Sequence, residues 1–180
     1  MITFLPLPSF KDSAKVLDNQ RLGKQRAEVK QLVRGLLGYD NLKSRSHPAS
    51  IMWQGFIPAL LEYGLAICEE WRHRGYVDFV GAELAALPKG DIEMPPWFGI
   101  DAFHSSHRSR LVFKKPDYYR DKLGWGDSPV EPYLWPFCAS EQAVQFRYGT
   151  TSGILTVPRP SLGNPWRAQS NPSNSKHVLS

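Results

Sequence analysis

The sequence has no long apolar run, few cysteines and no internal repeat, and these absences narrow the class of protein. No apolar stretch approaches the roughly 18–20 residues that cross a bilayer, so no membrane span is predicted. The two cysteines, Cys68 and Cys138, have no close spacing and form neither a metal nor a redox motif. The start, MITFLPLPSFK, is not typical of a secretory signal. We therefore expect a cytoplasmic protein with reduced thiols, associated with the nucleoid if it binds DNA.

The composition is that of an ordinary globular protein. Hydrophobic residues make up 42% of the chain and charged residues 22%. A chain of 180 residues is long enough for one domain with a proper core and an appended tail. A monomer is the default for a domain of this size.

Basic residues are concentrated in the first quarter of the chain. Residues 1–46 contain nine Lys or Arg residues against four acids, an excess equal to the whole net charge of +5. Residues 62–101 are acidic, with eight acids against three basic residues, and residues 102–125 are basic again. This polarity indicates a face that meets a polyanion, most simply nucleic acid. Charge alone is equally consistent with a mildly basic protein whose asymmetry has no function.

The hydrophobic periodicity predicts mainly helices. A first helix runs from Asp12 or Ser13 to Leu37 and ends at Gly38. Gly23 lies inside it, so either the helix breaks there or another group approaches its backbone closely.

Two further segments show helical patterns. The segment from Ala49 to Arg74 carries the strongest pattern, and Pro58 should kink it or divide it. The run DFVGAELAALP has the pattern of a short helix, and Ala102 to Lys114 forms another with a basic face.

The fold class predicted is all-α, a compact single-domain helical bundle with an irregular C-terminal extension. The domain covers residues 1–138, and SPVEPYLWPF near its end is broken by prolines and expected to wrap across it. Residues 139–180 form the extension, rich in Gly, Pro, Ser and Asn, in which Gly149 and Gly153 favour a weak hairpin. The last residues are expected to be disordered or loosely docked.

A single carboxylate, Glu28, lies in a basic field within LGKQRAEVKQL. On a helical wheel Arg21, Lys24, Gln25 and Glu28 share the flank of the apolar stripe. The simplest interpretation is a surface ion pair. A site that contacts phosphates would instead need the Lys and Arg side chains. Chemistry on a nucleotide would in addition need one carboxylate whose role the phosphates cannot take over.

A second polar cluster is HSSHR, from His104 to Arg108. Two histidines at i, i+3 share a helix face, but no third ligand has convincing spacing, so we predict no metal and no cofactor. With Arg110 and Lys114 nearby, the cluster suits phosphate contacts, although it also suits an ordinary polar helix start. Tyr118 and Tyr119 lie among cations, a pattern suited to an unstacked base or to a packed chain end.

These motifs together resemble a known family. The run QRLGKQRAEV, the pattern HP…MW…L…YG…RGY from His47 to Tyr76, and HSSHRSRL…KKPDYY resemble the pyrimidine-dimer DNA glycosylases of the phage endonuclease V type. The chain is more similar to an actinobacterial-type branch whose members begin Met-x-Thr-Phe-Leu-Pro and contain LGKQR and SHRS. That closer resemblance spans about residues 1–136, and the resemblance to the characterised enzymes covers mainly 15–125.

The resemblance implies a mechanism. Family members are compact all-α domains in which the α-amine of the first residue attacks the sugar C1′ and expels the base through an imine, assisted by a helix-borne Glu. Matching the QRL triplet places Glu28 on that Glu. Here the bulky Ile2 predicts that Met1 is retained, so Met1 is the expected nucleophile only if its segment folds back over Glu28.

The function predicted is a DNA glycosylase, with or without abasic-site lyase activity, that removes a damaged or modified pyrimidine from double-stranded DNA. The expected catalytic residues are Glu28 and Met1. The expected DNA contacts are Arg21, Lys24, Gln25, Arg26, His47, His104, His107, Arg108, Arg110, Tyr118 and Tyr119. The alternatives are a water-using glycosylase, a non-catalytic nucleic-acid-binding module, and an enzyme of modified bases or nucleotides on the same scaffold.

Overall fold

The computed structural model describes residues 1–39, 46–129, 132–149 and 153–159. In these ranges seven helices precede a three-stranded antiparallel sheet. The helices are α1 (Phe10–Val16), α2 (Asn19–Leu36), α3 (Pro48–Trp53), α4 (Ile57–His73), α5 (Val80–Ala85), α6 (Asp101–Lys114) and the π-helical turn α7 (Asp117–Lys122). The strands, in sheet order, are β1 (Leu134–Ala139), β2 (Ala143–Tyr148) and β3 (Ile154–Pro158). The predicted helical class is confirmed, and the sheet occupies the C-terminal part.

The first predicted helix is two helices, α1 and α2, because the chain breaks at Leu17 and Asp18. The carboxylate of Asp18 accepts hydrogen bonds from the backbone N–H groups of Gln20 and Arg21, which makes Asp18 the N-cap of α2. The prediction of one continuous helix was wrong here, since a buried N-cap starts a new helix.

Gly23 lies inside α2, where the indole of Trp71 from α4 packs against the helix backbone. A Cβ atom at position 23 would lie 3.1 Å from two ring atoms of Trp71. The second of the two predicted alternatives, a close approach, is therefore confirmed. The two helices α2 and α4 also pack closely at Gly64, where a Cβ atom would lie 2.7 Å from Cγ1 of Val29.

The segment with the strongest helical pattern is divided as predicted, into α3 and α4. The break falls at 54–56, where Gly55 has a φ of +86° that favours glycine. Pro58 stands in the first turn of α4, where its missing N–H costs no hydrogen bond. The two other predicted helices correspond to α5 and α6.

The hairpin predicted around Gly149 and Gly153 is present as the antiparallel pair β2 and β3. Sequence reasoning missed β1, which pairs with β2 and has a register shift between Pro136 and Cys138. β1 contacts α3 and α6, so the sheet packs against the helical body. β1 includes residues on both sides of position 138, where the sequence predicted a domain boundary. That boundary stays a prediction. The expected disordered end and most of the polar connection YDNLKSRSHP lie outside the described residues.

Helices and sheet share one hydrophobic core. Its largest fully buried side chains include Trp53, Tyr63, Phe103, Tyr119 and Phe146, which come from α3, α4, α6, α7 and β2. Among the helices described, none is long and apolar enough to cross a bilayer. In the same ranges, no group of three His, Cys, Asp or Glu side chains is placed to hold a metal.

Candidate active site at the N-terminus

A cavity of about 400 Å³ lies where the N-terminal segment meets α2, the end of α6 and β1. This volume is in the usual range for a small-ligand site. The lining residues are Met1, Ile2, Phe4, Gln20, Arg21, Lys24, Gln25, Glu28, Lys114, Tyr133 and Trp135. The cavity therefore combines one carboxylate with cations and aromatic rings.

Glu28 contacts the start of the chain. The backbone N–H of Ile2 lies 3.3 Å from Glu28 Oε2 and donates to it. Gln25 Nε2 donates to the same oxygen at 3.0 Å, and Lys24 Nζ lies 3.6 Å from Oε1. The Glu28 side chain is 14% exposed. The N-terminal segment thus folds back over Glu28, which is the arrangement that catalysis by a terminal amine requires.

Gln25 holds the N-terminal segment through both ends of its amide. Its Nε2 donates to the carbonyl of Ile2 at 2.8 Å, and its Oε1 accepts from the N–H of Phe4 at 2.9 Å. The hydroxyl of Tyr63 lies 2.8 Å from both the Phe4 carbonyl and Gln25 Oε1. Gln25 is only 1% exposed, and these hydrogen bonds position the N-terminal segment. Its predicted DNA contact stays a prediction.

His104 and His107 hold the next residue of the same segment. His104 Nδ1 donates to the Leu5 carbonyl at 2.7 Å, while its Nε2 accepts from the N–H of Gly99. The N–H of Leu5 donates to His107 Nδ1 at 3.2 Å. Both rings are buried and each bonds to backbone groups, and the phosphate contacts predicted for these histidines stay predictions.

Burial keeps both imidazoles neutral. It lowers the pKa of His104 to about 4, and it lowers the pKa of His107 to about 3, with a further contribution from His104. Neutral rings suit the observed contacts, since each Nδ1 or Nε2 that accepts must be unprotonated.

We expect the protein to lose stability as the pH falls from about 6.5 towards 4. In this window the unfolded chain protonates both histidines, whereas the folded chain does not, so stability rises with pH. Each histidine contributes a slope of about 1.4 kcal/mol per pH unit. Urea unfolding at pH 7, 6 and 5 measures the slope.

The matched variants for this prediction are His107→Met and His73→Gln. His107→Met should reduce the pH slope, and His73→Gln, a substitution at an exposed position of α4, is the control. Equal slopes in His107→Met and the unaltered protein would contradict the prediction, whatever their stability at pH 7.

Arg108 also binds the N-terminal segment. Its guanidinium donates to both carboxylate oxygens of Asp127 at 3.0 Å and to the Pro6 carbonyl at 3.0 Å. Asp127 and the Pro6 carbonyl take up its Nε and one Nη1 hydrogen, and its predicted DNA contact stays a prediction. Positions 2, 4, 5 and 6 are thus each held by a side chain from another part of the fold.

Arg21 is held at the cavity by an internal network. Its Nη1 donates to Asp18 Oδ2 at 2.6 Å, and the Tyr119 hydroxyl donates to the same oxygen at 2.7 Å. Burial alone would raise the pKa of Asp18, but the hydrogen bonds from Tyr119 and Arg21 outweigh it and lower that pKa. Tyr119 is fully buried and supports Arg21 through Asp18, and its predicted contact with DNA stays a prediction.

Cations crowd the rim of the cavity. Lys24 and Lys114 both line it, and the Lys24 side chain is 74% exposed. The pKa of Lys114 is lowered, first by burial and then by repulsion from Arg110, Arg21 and Lys24. Such mutual repulsion favours binding of an anion that neutralises the group, as a phosphate would.

The remaining predicted contacts lie away from the cavity lining. Arg26 pairs with the buried carboxylate of Asp78 at 2.7 Å and lies over the Trp71 ring, and its predicted phosphate contact stays a prediction. Tyr118 is half-buried between Tyr119 and Lys122.

His47 lies close enough to the site to be affected by its charges. It caps α3 through Nδ1, which accepts from the N–H of Ala49, and its ring meets Trp135 edge-on at 6.0 Å. Burial and the charge of the terminal amine lower its pKa, and Glu28 opposes them. The predicted contact of His47 with DNA stays a prediction.

Sequence reasoning missed the aromatic wall of the cavity, formed by Tyr133 and Trp135. Their spacing of two residues is that of side chains on one face of a strand, within the run YLWPF. The prolines on either side hid this signal, because they argue against a regular strand.

The family comparison agrees with this geometry. Residues 1–82 match the family described as pyrimidine dimer DNA glycosylase. The matched residues contain the N-terminal segment, α1, α2 and Glu28, whereas Lys114, Tyr133 and Trp135 lie beyond them. No curated protein and no solved structure gives a significant match.

The family's description implies DNA glycosylase activity on pyrimidine dimers, and hence a DNA substrate. The part of the chain that carries this implication also supplies the carboxylate and the terminal amine at the cavity.

Proposed function

We propose that the protein excises a damaged pyrimidine from double-stranded DNA through attack of the Met1 α-amine on the sugar C1′, assisted by Glu28. The observation that carries the proposal is the hydrogen bond from the Ile2 N–H to Glu28 Oε2 at 3.3 Å. Ile2 directly follows Met1, which carries the terminal amine, and Met1 and Glu28 both line the cavity.

The steps use groups that are present at this cavity. The unprotonated amine forms a bond to C1′, and the glycosidic bond breaks as the base leaves with its electron pair and takes up a proton. The sugar ring then opens to an imine between C1′ and the terminal nitrogen. Glu28 stabilises the positive charge that develops at the sugar and carries protons between amine, ring oxygen and base. An α-amine suits this role because its ordinary pKa lies nearer to neutral pH than that of a lysine.

Abasic-site lyase activity follows from the same intermediate. The imine acidifies the hydrogens at C2′, and removal of one of them by a base expels the 3′ phosphate and cuts the strand. Hydrolysis of the imine then releases the amine. We propose Glu28 as that base, because it is the carboxylate that contacts the N-terminal segment.

Trapping with borohydride tests this proposal. Untagged protein is incubated with duplexes that carry a cyclobutane pyrimidine dimer or an abasic site, and borohydride reduces any imine to a stable secondary amine. We expect a covalent adduct with both duplexes and none after acetylation of the N-terminus. The mass of the adduct's N-terminal peptide shows whether Met1 or, after its removal, Ile2 carries the sugar.

The other functions give different results in the same experiment. Base release without an adduct would indicate a water nucleophile and overturn the role of the amine. Tight, salt-dependent binding with no product from either duplex would indicate a binding module and overturn the proposed activity.

DNA binding through the rim cations should depend on salt. We expect Lys24→Gln and Lys114→Gln each to reduce the slope of log K against log [salt] by about 1, because each removes one phosphate contact. Fluorescence anisotropy with an undamaged duplex at several salt concentrations measures this slope. Lys11→Gln is the control, since Lys11 lies on α1 and pairs with Glu69. Unchanged slopes in both cavity variants would contradict the assignment of this rim to DNA.

A further inference from the structure

The wall of the cavity that faces away from α2 is aromatic and comes from the C-terminal part of the fold. Trp135 belongs to β1, and Tyr133 precedes that strand by one residue. Their ring centroids lie 5.8 Å apart, and Phe4 lies 6.3 Å from Tyr133 on the other side. Both residues line the cavity that contains Glu28, yet both lie outside the segment that matches the family.

The Tyr133 hydroxyl is buried, and no described residue accepts a hydrogen bond from it, because the neighbouring guanidinium of Arg110 can only donate. Leaving such a group unpaired costs stability, so a ligand that pairs with it gains affinity. Burial raises the pKa of Tyr133 to about 12, which keeps the hydroxyl protonated and able to donate. The guanidinium of Arg110 lies 5.4 Å from the centre of the same ring.

These groups suit a base better than a phosphate. The cations that would hold phosphates are Lys24, Lys114 and Arg21, whereas the wall offers flat rings and one neutral donor. A nucleotide whose C1′ faces Glu28 must place its base within a few ångströms of that carbon. The base of an extruded nucleotide is commonly held by aromatic stacking and by hydrogen bonds to its edge.

We propose that Tyr133 and Trp135 bind the unstacked base of the nucleotide under attack, with Trp135 stacking on the ring and the Tyr133 hydroxyl donating to a carbonyl oxygen of the base. The ligand class is a pyrimidine, whose ring presents such a carbonyl. This inference rests on the proposed function, because it assumes that the sugar of that nucleotide lies at Glu28.

The test compares a reaction that needs the base with one that does not. Base excision is measured on a duplex with a cyclobutane pyrimidine dimer, and adduct formation is measured with borohydride on a duplex that already has an abasic site. We expect Trp135→Ala to slow excision about tenfold or more and Tyr133→Phe to slow it about fivefold. Adduct formation at the abasic site should stay within twofold of the unaltered protein for both variants.

The control variants remove the same chemical groups elsewhere. Tyr39→Phe removes a hydroxyl from a side chain beyond the end of α2 that is 54% exposed, and Phe79→Ala removes an exposed ring next to α5. Neither residue lines the cavity, and both variants should behave as the unaltered protein does in the two reactions.

Each contrary result has its own meaning. Normal excision by Tyr133→Phe and Trp135→Ala would overturn the inference while leaving the proposed function intact. Equal losses in both reactions would also overturn it, because they would indicate damage to the whole cavity. If the unaltered protein forms the adduct at abasic sites but leaves the dimer intact, the assignment of a pyrimidine fails and the amine chemistry stands. If it performs neither reaction, the proposed function itself fails.

Discussion

Glu28→Gln is expected to lower the rate of base excision by about 10²–10⁴-fold, the range typical for loss of a general acid or base. The amide still accepts a hydrogen bond from the Ile2 N–H, so the N-terminal segment should stay in place. It carries no charge to stabilise the developing cation and takes up no proton. DNA affinity should stay within about twofold or rise slightly, because the variant removes a negative charge from a phosphate-binding rim.

Single-turnover excision from the dimer-containing duplex and anisotropy with undamaged DNA measure the two effects separately. Glu69→Gln is the matched control, since Glu69 on α4 is exposed and pairs only loosely with Lys11. A Glu28→Gln variant that cleaves at the normal rate would end the catalytic assignment. One that loses DNA binding and cleavage together would indicate a structural role for the carboxylate.

Gln25→Met is expected to reduce adduct formation and excision by about 10²-fold without loss of DNA binding. The substitution keeps the volume of the side chain but leaves the Ile2 carbonyl and the Phe4 N–H without their partner. A displacement of about 1 Å at a reacting group is enough to cost 10²-fold. Two unpaired backbone groups should also destabilise the fold by about 1–3 kcal/mol each.

Gln31→Met provides the control for this variant, because Gln31 is an exposed residue of the same helix. Reaction rates should be measured well below the melting temperature, so that unfolding does not contribute to the loss. A Gln25→Met protein that forms the adduct at the normal rate would show that the N-terminus reaches C1′ without this clamp, and the positioning role would be abandoned.

The part of the site that lies on one helix could be predicted from the sequence. The spacing of Arg21, Lys24, Gln25 and Glu28 places them on one flank of α2 whatever the rest of the chain does, and the structure brings all four to the cavity. Periodicity alone did not distinguish their roles. Gln25 carries the same kind of polar side chain as its neighbours, but its amide is buried against a segment more than 20 residues away.

Contacts between residues that lie far apart in the sequence could not be predicted from such local spacing. His104 and His107 look like a polar helix start, and only the position of Leu5, about 100 residues earlier, turns them into neutral backbone partners. The strand that carries Trp135 was hidden by Pro132, which precedes it, and by Pro136, which lies within it. A pairing partner, β2, stabilises that strand, and the pairing depends on residues that lie beyond the local pattern.

The attachment of the first residues to later parts of the chain has a consequence for the order of events during synthesis. Residues 1–7 are synthesised before the side chains that fix Leu5 and Pro6, which belong to residues 104–108. At translation rates of 5–20 residues per second, about 5–20 s pass before those side chains exist. Throughout this interval the first amine is open to the enzymes that deformylate, trim or acetylate nascent chains. The chemical state of the amine that we propose as nucleophile is therefore decided before the cavity around it has formed. If the proposal is right, expression hosts that process N-termini differently should yield protein of different activity from one gene.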